Sequence, residues 1–137
     1  MYPHAGGWKE ALTIRRGYEL NYKLISLPAE RHEGKLAPEH SFLQVQQDNI
    51  IVSALKKAED DKGLIVRFYE WEGKEGPVTV QVPPGADSAS ETDLMEKPLS
   101  TLPVNSGAIK VPTKPYEIKT IKIQFAETTA KETAAKP

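Results

Sequence analysis

The sequence has no cysteine, no excess of either charge, few aromatic residues and no long hydrophobic run. The lack of cysteine excludes disulfide bonds, thiolate metal sites and cysteine nucleophiles. Eighteen basic residues against nineteen acidic ones give a net charge of -1, which argues against a surface for nucleic acid or acidic lipid. No apolar stretch approaches the roughly 18 residues of a membrane-spanning helix. The sequence therefore predicts a domain with no nucleic-acid partner and no membrane partner.

What remains is an ordinary globular composition. The chain has 137 residues, of which 39% are hydrophobic and 27% charged, and this length suits one domain. Residues 1–7 lack the basic and apolar regions of a secretory signal. No asparagine begins an Asn-X-Ser/Thr glycosylation acceptor. These features favour a cytoplasmic location in a bacterium.

Alternation of apolar and polar residues dominates the chain. A helical spacing over Trp8–Tyr18 predicts one short N-terminal helix, and the alternation that follows over Tyr18–Leu24 predicts a strand. Leu64–Trp71 is apolar on both faces, which predicts a central strand. A polar link, Lys56–Lys62, joins it to Asn49–Leu55 in a predicted antiparallel hairpin. Further strands are predicted at Phe42–Val45, Val78–Val82, Ser88–Met95, Ser106–Val111 and Pro115–Phe125.

The last of these strands contains a change of phase between Ile118 and Ile121. It indicates either a β-bulge near Lys119-Thr120 or a strand with apolar neighbours on both sides. Seven or eight short strands and eleven prolines predict an all-β fold, an antiparallel β-sandwich with one short N-terminal helix. Residues 126–137 contain no apolar side chain larger than alanine and are expected to form a flexible tail.

Motifs for nucleophilic, metal or phosphate chemistry are missing. The three histidines, His4, His32 and His40, have no metal-ligand spacing between them. No serine lies in a Gly-X-Ser-X-Gly turn. Gly73 and Gly76 flank a Lys-Glu turn that no helix follows, so no phosphate-binding loop is predicted there. His32 and His40 are therefore interpreted as solvated surface groups and His4 as a local packing or capping residue, with a role beyond that left open for His4.

Acidic residues are candidates for glycosidase acids or nucleophiles, because such enzymes use a pair of carboxylates. The run Glu59-Asp60-Asp61 is predicted to be a solvated loop tip. Glu91, Asp93 and Glu96 lie on a weak, polar strand, where nothing apolar would raise a pKa into the range of a general acid. Catalysis by these groups is not predicted.

The strand Leu64–Trp71 carries the more specific candidates, Arg67 and Glu70. An arginine on a central apolar strand requires a partner, and a buried ion pair that ties strands together is favoured over ligand binding. Tyr69 and Trp71 have rings of the kind that stack on sugars, although core positions are favoured for both. No residue is assigned as catalytic, metal-binding or substrate-binding, and no cofactor is predicted for this chain.

Five strings resemble, in order and spacing, the C-terminal β-sheet region of glycoside hydrolase family 38 α-mannosidases, most closely the bacterial type. The resemblance covers about residues 2–125 with gaps. The strings are YPHAGGWKEA (2–11), YELNYKL (18–24), SALKKAEDDKGLIVRFYEWEG (53–73), ETDLMEKPL (91–99) and KPYEIKTIKI (114–123).

The resemblance implies an origin in a larger enzyme. Members of this family are retaining exo-enzymes that remove terminal α-linked mannose with an aspartate nucleophile, an acid/base carboxylate and a zinc ion held by His and Asp. Those groups belong to an N-terminal catalytic region, and this chain has no His-X-Asp segment to match them. Residues 1–125 are therefore expected to be a non-catalytic C-terminal accessory domain, with Met1 marking a cut at a domain boundary.

The implied partners are the catalytic region of the same enzyme and, through it, an α-mannoside substrate. An accessory domain separated from its enzyme is expected to expose an apolar docking surface, and a homo-oligomer interface is a second use of such a surface. Two alternatives stay open at this point. One is a stand-alone carbohydrate-binding β-sandwich module, and the other is a small hydrolase in its own right.

Overall fold

Two antiparallel sheets packed face to face form the protein, as seen in a computed structural model that describes residues 1–126. The predicted tail 126–137 lies, apart from its first residue, outside the described residues. In chain order the elements are α1 (Thr13–Asn21), β1 (Gln44–Val45), β2 (Ile50–Lys57), β3 (Leu64–Glu70), β4 (Gly76–Gln81), β5 (Ala86–Thr92), β6 (Pro98–Leu102), β7 (Val104–Asn105), β8 (Ala108–Thr113) and β9 (Ile118–Phe125). The smaller sheet has the order β1-β4-β8-β7 and the larger one β2-β3-β9-β5-β6.

The core lies between the two sheets and is built by alternate side chains of facing strands. Val66 and Phe68 point into it from β3, and Val78 and Val80 point into it from β4 in the opposite sheet. This arrangement confirms the predicted antiparallel β-sandwich with one short helix. The core residues with no exposed surface are Val66, Phe68, Val80, Ile109, Val111, Ile121 and Ile123.

The central hairpin forms as predicted. β2 pairs antiparallel with β3, and β3 pairs on its other side with β9, so β3 lies inside the sheet. Its two faces are both covered, since Phe68 is buried in the core and Ile65 is buried on the opposite face. The two-sided apolar pattern of this strand therefore reflects burial on both faces.

The N-terminal helix begins later than predicted. Residues 8–12 form hydrogen-bonded turns, and Leu12 has a left-handed φ of 52°, so regular helix starts at Thr13. The strand predicted at Tyr18–Leu24 is wrong, because the helix continues to Asn21 and residues 22–43 have no regular secondary structure. Tyr18 and Tyr22 are four residues apart and stack at 5.6 Å between ring centroids. Their spacing fits a helix as well as it fits a strand.

Two strands are displaced in the middle of the chain. β5 ends at Thr92 because residues 93–97 form a turn, in which Asp93 Oδ1 accepts hydrogen bonds from the N–H groups of Met95 and Lys97. The following strand β6 was not predicted; its residues Pro98–Leu102 pair with β5. The predicted strand Ser88–Met95 thus combines the end of β5, up to Thr92, with the first three residues of the turn 93–97.

A tight turn replaces the start of another predicted strand. Ser106 and Gly107 have φ values of 50° and 75°, which suits the two-residue turns that connect hairpin strands. β8 therefore begins at Ala108, two residues later than predicted.

The phase change in the last strand does not come from a bulge at Lys119-Thr120. β9 pairs with β3 in unbroken register from Ile118 to Ile123. Ile121 and Ile123 face the core, whereas Ile118 has the opposite parity and is 59% exposed. The register shift that β9 does meet lies near the start of β5. The bulge prediction was wrong, and the strand has side chains in contact on both of its faces.

Candidate functional site

The outer face of the larger sheet, the face turned away from the core, is covered at one end by the N-terminal segment. The ring of Trp8 lies 5.9 Å from that of Trp71, and the ring of Tyr18 lies 6.3 Å from that of Tyr69. Lys9 Nζ donates a hydrogen bond of 2.6 Å to the carbonyl of residue 72. Trp71 is only 4% exposed. The two rings considered for sugar stacking are therefore packed against the chain's own N-terminal segment.

Arg67 lies on this outer face and is half-buried. Its Nε donates to Thr120 Oγ1 at 3.0 Å and its Nη2 donates to the carbonyl of Leu94 at 3.1 Å. Within residues 1–126 no salt bridge involves Arg67. The predicted buried ion pair is therefore wrong. Neutral oxygens from two neighbouring segments provide the partner that the position requires.

Among the described carboxylates Glu70 is the most enclosed, with 2% of its surface exposed. Its Oε1 accepts from Asn49 Nδ2 at 2.9 Å and from the N–H of Glu72 at 2.8 Å. Its Oε2 accepts from the N–H groups of Gly73 at 2.7 Å and Tyr116 at 2.9 Å. Burial by itself would raise the pKa of Glu70, but these hydrogen bonds to the charged form outweigh burial and lower the pKa to about 2.

The donors to Glu70 come from three separate parts of the chain. They lie at the start of β2, in the turn after β3 and in the connection between β8 and β9. The turn approaches closely at Gly73, which has a φ of 85°, and a Cβ built there would lie 2.6 Å from Tyr116 Oη. Glu70 thus connects three segments at one end of the sandwich by hydrogen bonds. A group this firmly ionised does not serve as a general acid near neutral pH.

A buried lysine organises the opposite end of the outer face. Lys122 Nζ lies 2.7 Å from Asp60 Oδ1 and 2.7 Å from Asp61 Oδ2, and its side chain is 7% exposed. Asp61 also accepts from the N–H of Gly63 and from Gln124 Nε2. The acidic run 59–61 is therefore folded back onto the sheet, although Glu59 and Asp60 keep most of their surface in water. The prediction of a solvated loop tip is correct for the exposure of Glu59 and Asp60. It did not include the ion pairs with Lys122.

Charge pairing shifts the pKa values of this cluster in opposite directions. Hydrogen bonds from Lys122 and then from the N–H of Gly63 lower the pKa of Asp61. Asp60 and Asp61 raise the pKa of Lys122. The contribution of the pair to stability is therefore complete between the ordinary values, pH 3.8 and 10.5. It declines as pH falls through the lowered pKa of Asp61 or rises through the raised pKa of Lys122.

Replacing Lys122 with methionine is expected to release the loop 58–63 from the sheet, because two carboxylates lose their shared cation. The N–H of Ala58 donates to the carbonyl of Gly63 at 2.8 Å, and the N–H of Gly63 donates to Asp61 Oδ1 at 2.7 Å. Exchange of both amides should become at least about tenfold faster. Hydrogen exchange followed by NMR measures this. Lys110→Met, at an exposed lysine on β8, is the matched control. Unchanged exchange in Lys122→Met would show that the ion pairs do not hold the loop.

The other acidic candidates also form ion pairs or hydrogen bonds with groups of the same chain. Glu91 Oε1 lies 2.7 Å from Lys119 Nζ, and Asp93 caps the turn that follows β5. Glu96 is 6% exposed, and hydrogen bonds from Lys56 and then from the N–H of Glu59 lower its pKa. A glycosidase acid needs a raised pKa. The shifted carboxyl pKa values, those of Asp61, Glu70, Glu96 and Glu117, are all lowered.

The histidines are exposed and lie in separate local contacts. His4 is 5.5 Å from the ring of Tyr2, His40 is 4.7 Å from the ring of Phe42, and His32 bonds to the carbonyl of residue 33. In the part of the chain that the structure describes, no group of three or more His, Asp or Glu side chains could hold a metal ion. The side chains of residues 1–126 therefore do not fit a zinc site. Within residues 1–126, no helix has the length and hydrophobicity needed to cross a membrane.

The most unusual surface is the segment between α1 and β1, residues 23–42, here called the arm. Leu24 is fully exposed, Ile25 is 89% exposed and Leu27 is 82% exposed, and Leu36 and Phe42 also lie open to solvent. Single exposed apolar side chains are ordinary. Five large ones along one irregular segment form a more extensive exposed apolar surface than isolated side chains do. The sequence suggested such a surface in general but gave no signal that placed it here.

Comparison with known proteins shows which family this β-sandwich is similar to. Residues 49–121, more than half of the chain, match the family model described as glycosyl hydrolases family 38 C-terminal beta sandwich domain. The chain is 36% identical over 76 residues to alpha-mannosidase G of Dictyostelium discoideum, covering 51% of this chain and 6% of that protein. It is 25% identical over 128 residues to alpha-mannosidase 2C1 of Mus musculus, covering 88% of this chain and 12% of that protein.

Two solved structures of related enzymes have the same fold over most of this chain. A glycosyl hydrolase family 38 protein from Enterococcus faecalis superposes with a TM-score of 0.68 at 26% identity, over 88% of this chain and 14% of that one. An alpha-mannosidase from Enterococcus faecalis V583 superposes with a TM-score of 0.67, over 88% of this chain and 13% of that one. The chain thus spans only a small part of the proteins it matches. It belongs to the glycosyl hydrolase family 38 C-terminal beta sandwich domain family.

Proposed function

We propose that this chain is a non-catalytic accessory domain of a retaining α-mannosidase that removes terminal α-linked mannose. In this role it packs against the rest of the enzyme through the arm. The exposure of Leu24, Ile25 and Leu27 carries the proposal, because burying them against another polypeptide removes a large apolar area from water. The small share of its relatives that the chain covers supports a large partner within the same enzyme.

The bound state of the acidic groups supports a non-catalytic role. Glu70, Glu96 and Asp61 are each held by N–H groups or lysines of the same domain. The zinc ion, the aspartate nucleophile and the acid/base carboxylate are assigned by family resemblance to the N-terminal catalytic region. The cysteine-free composition supports a reducing, cytoplasmic location for the enzyme.

A chimera tests the proposal. In the Enterococcus faecalis α-mannosidase, the segment that superposes on this chain is deleted in one variant and replaced by this chain in another. We expect the deletion to lose thermal stability and hydrolysis of an aryl α-mannoside, and the replacement to regain both in part. The same replacement with Leu24→Asp and Ile25→Asp should regain less, because the arm no longer buries apolar surface. Leu99→Asp, at an exposed leucine on β6, is the matched control.

Two results would overturn the proposal. One is a deletion variant that is as stable and active as the parent, since an accessory domain would then be dispensable. The other is release of nitrophenol from an aryl α-mannoside by the purified chain supplied with zinc, which would make it a hydrolase in its own right. Saturable chemical-shift changes on titration with mannose would instead favour the stand-alone carbohydrate-binding module.

A further inference from the structure

The turn between β5 and β6 holds two large apolar side chains in solvent. Leu94 is 62% exposed and Met95 is 78% exposed. On one side of the turn, Asp93 Oδ1 accepts a hydrogen bond of 2.8 Å from the N–H of Met95. On the other side, the buried carboxylate of Glu96 lies 2.7 Å from Lys56 Nζ. A fixed turn therefore presents the two apolar side chains, which reduces the entropy lost when they bind a partner.

The same turn keeps an unfavourable backbone conformation. Glu96 has a φ of 65°, in the left-handed region that costs free energy for residues other than glycine. Such strain persists where the surrounding structure imposes it, and it is concentrated at binding and catalytic sites. Here it is imposed by the contacts of the Glu96 carboxylate with Lys56 Nζ and with the N–H of Glu59 at 2.8 Å.

Arg67 contacts this turn from the outer face of the larger sheet. Its Nη2 donates to the carbonyl of Leu94 at 3.1 Å, and its Nε donates to Thr120 Oγ1 at 3.0 Å. Ile118 lies on the same face as Thr120, two positions earlier in β9, and is 59% exposed. The side chains of Arg67, Leu94, Met95 and Ile118 are here called the Arg67 surface. Arginine and methionine are enriched at protein interfaces.

The charge of Arg67 has no counter-ion among residues 1–126. By contrast, Lys56, Lys119 and Lys122 each pair with two carboxylates. Two N–H donors of Arg67 bond to neutral oxygens, which leaves Nη1 and one hydrogen of Nη2 at the end of the guanidinium. These donors match the two oxygens of a carboxylate. A partner that brings a carboxylate is therefore favoured at this position.

We propose that the Arg67 surface packs against the rest of the α-mannosidase and that a carboxylate of that polypeptide pairs with the Arg67 guanidinium. This inference rests on the proposed accessory role and adds a second contact, of stated chemistry, to that of the arm. The neighbouring apolar side chains cover the ion pair and keep water away from it, which strengthens the attraction. The arm and the Arg67 surface belong to different segments, so each contact is tested without changing the other.

The remainder of the same enzyme fits this surface better than a second copy of the chain does. A symmetric dimer through the Arg67 surface would set two guanidinium groups without counter-ions against each other. The chain covers 12% of alpha-mannosidase 2C1 of Mus musculus and 14% of the Enterococcus faecalis protein, so these relatives carry the matching segment within a much larger polypeptide. Attachment in one chain raises the effective concentration of such a partner.

Charge variants of Arg67, placed in the chimera that carries this chain, test the contact. Arg67→Gln and Arg67→Glu both lose the hydrogen bonds of the guanidinium, and they differ in charge. On heating, we expect the chimera with Arg67→Glu to lose activity about tenfold faster than that with Arg67→Gln, because two carboxylates then face each other. In the isolated chain the two variants should unfold at the same temperature. Lys110→Gln and Lys110→Glu, at an exposed lysine of β8, are the matched controls and should not differ.

Cross-linking identifies the partner carboxylate. Arg67→Lys places an amine at this position, and a carbodiimide joins an amine to a nearby carboxylate as an amide, taking up the released water to become a urea. Mass spectrometry of the digested chimera should find position 67 joined to an Asp or Glu of the Enterococcus faecalis part. The chimera with Arg67 unchanged is the control, because a guanidinium does not form this amide.

The outcomes separate this inference from the accessory role. Loss of the accessory role is shown by a deletion variant that is as stable and active as the parent. The Arg67 contact alone is overturned if the replacement regains stability while Arg67→Gln and Arg67→Glu inactivate equally. It is also overturned if position 67 forms no cross-link, or links only to carboxylates of this chain such as Asp93 or those of residues 127–137.

Discussion

Replacing Glu70 with glutamine is expected to lower the free energy of unfolding by about 3 kcal/mol. The carboxylate accepts four hydrogen bonds while 2% exposed. Glutamine keeps the shape but turns one acceptor oxygen into an NH2 group, which then faces N–H donors. At least one donor of the cluster is left buried without an acceptor.

Urea denaturation at pH 7 measures this loss, with Glu75→Gln as the matched control. Glu75 lies on the surface two residues beyond the turn at Gly73, and its replacement should change the free energy of unfolding by less than about 0.5 kcal/mol. An equal, small loss in both variants would show that the hydrogen bonds to Glu70 contribute little.

The same pair of proteins should respond differently to acid. The pKa of Glu70 is about 2 in the folded protein against an ordinary value of 4.5. A group with a lowered folded pKa stabilises the fold fully above its unfolded pKa, and this contribution is lost as pH falls towards the folded pKa. The stability difference between the unmodified chain and Glu70→Gln should therefore shrink between pH 4.5 and 2. A constant difference across this range would mean that the charge of Glu70 is not responsible.

Local patterns in the sequence were sufficient for the β-sandwich and insufficient for the N-terminal third. In Val78–Val82 the alternation is set by one face that packs on the core, and in Leu64–Trp71 the apolar residues on both faces match burial on both faces. Pattern and structure therefore agree in both segments. In Tyr18–Leu24 the same alternation has no sheet to pack on. There Tyr18 lies against Tyr69 and stacks on Tyr22, and these contacts with the rest of the fold favour a helix.

The charged network of the outer face could not be derived from the sequence because it depends on the pairing of distant strands. Lys122 and Asp60 are 62 residues apart and meet only once β9 lies beside β3. The same holds for the contact between Glu70 and the N–H of Tyr116, 46 residues apart. The one local signal was an ionisable residue on an otherwise apolar strand, which indicated that Arg67 and Glu70 needed partners but not which ones.

Replacing Phe68 with alanine is expected to cost about 4 kcal/mol in the free energy of unfolding. Phe68 has no exposed surface and lies in the core between the two sheets, on the strand that also carries Glu70. Losing its ring removes buried apolar area and leaves a cavity that the sheets, held by their hydrogen-bonded registers, close only in part.

Urea denaturation and thermal unfolding measure the cost of Phe68→Ala, and Phe42→Ala is the matched control. Phe42 is 63% exposed and contacts His40 in the arm, so the same change there should cost less than about 0.5 kcal/mol in the isolated chain. In the chimeric α-mannosidase, the stability costs of Phe42→Ala and Phe68→Ala together test whether the arm is buried. There Phe42→Ala should become costly if the arm is buried against the catalytic region, whereas Phe68→Ala costs the same in both settings. A cost for Phe42→Ala that stays small in the chimera would show that this part of the arm remains in water.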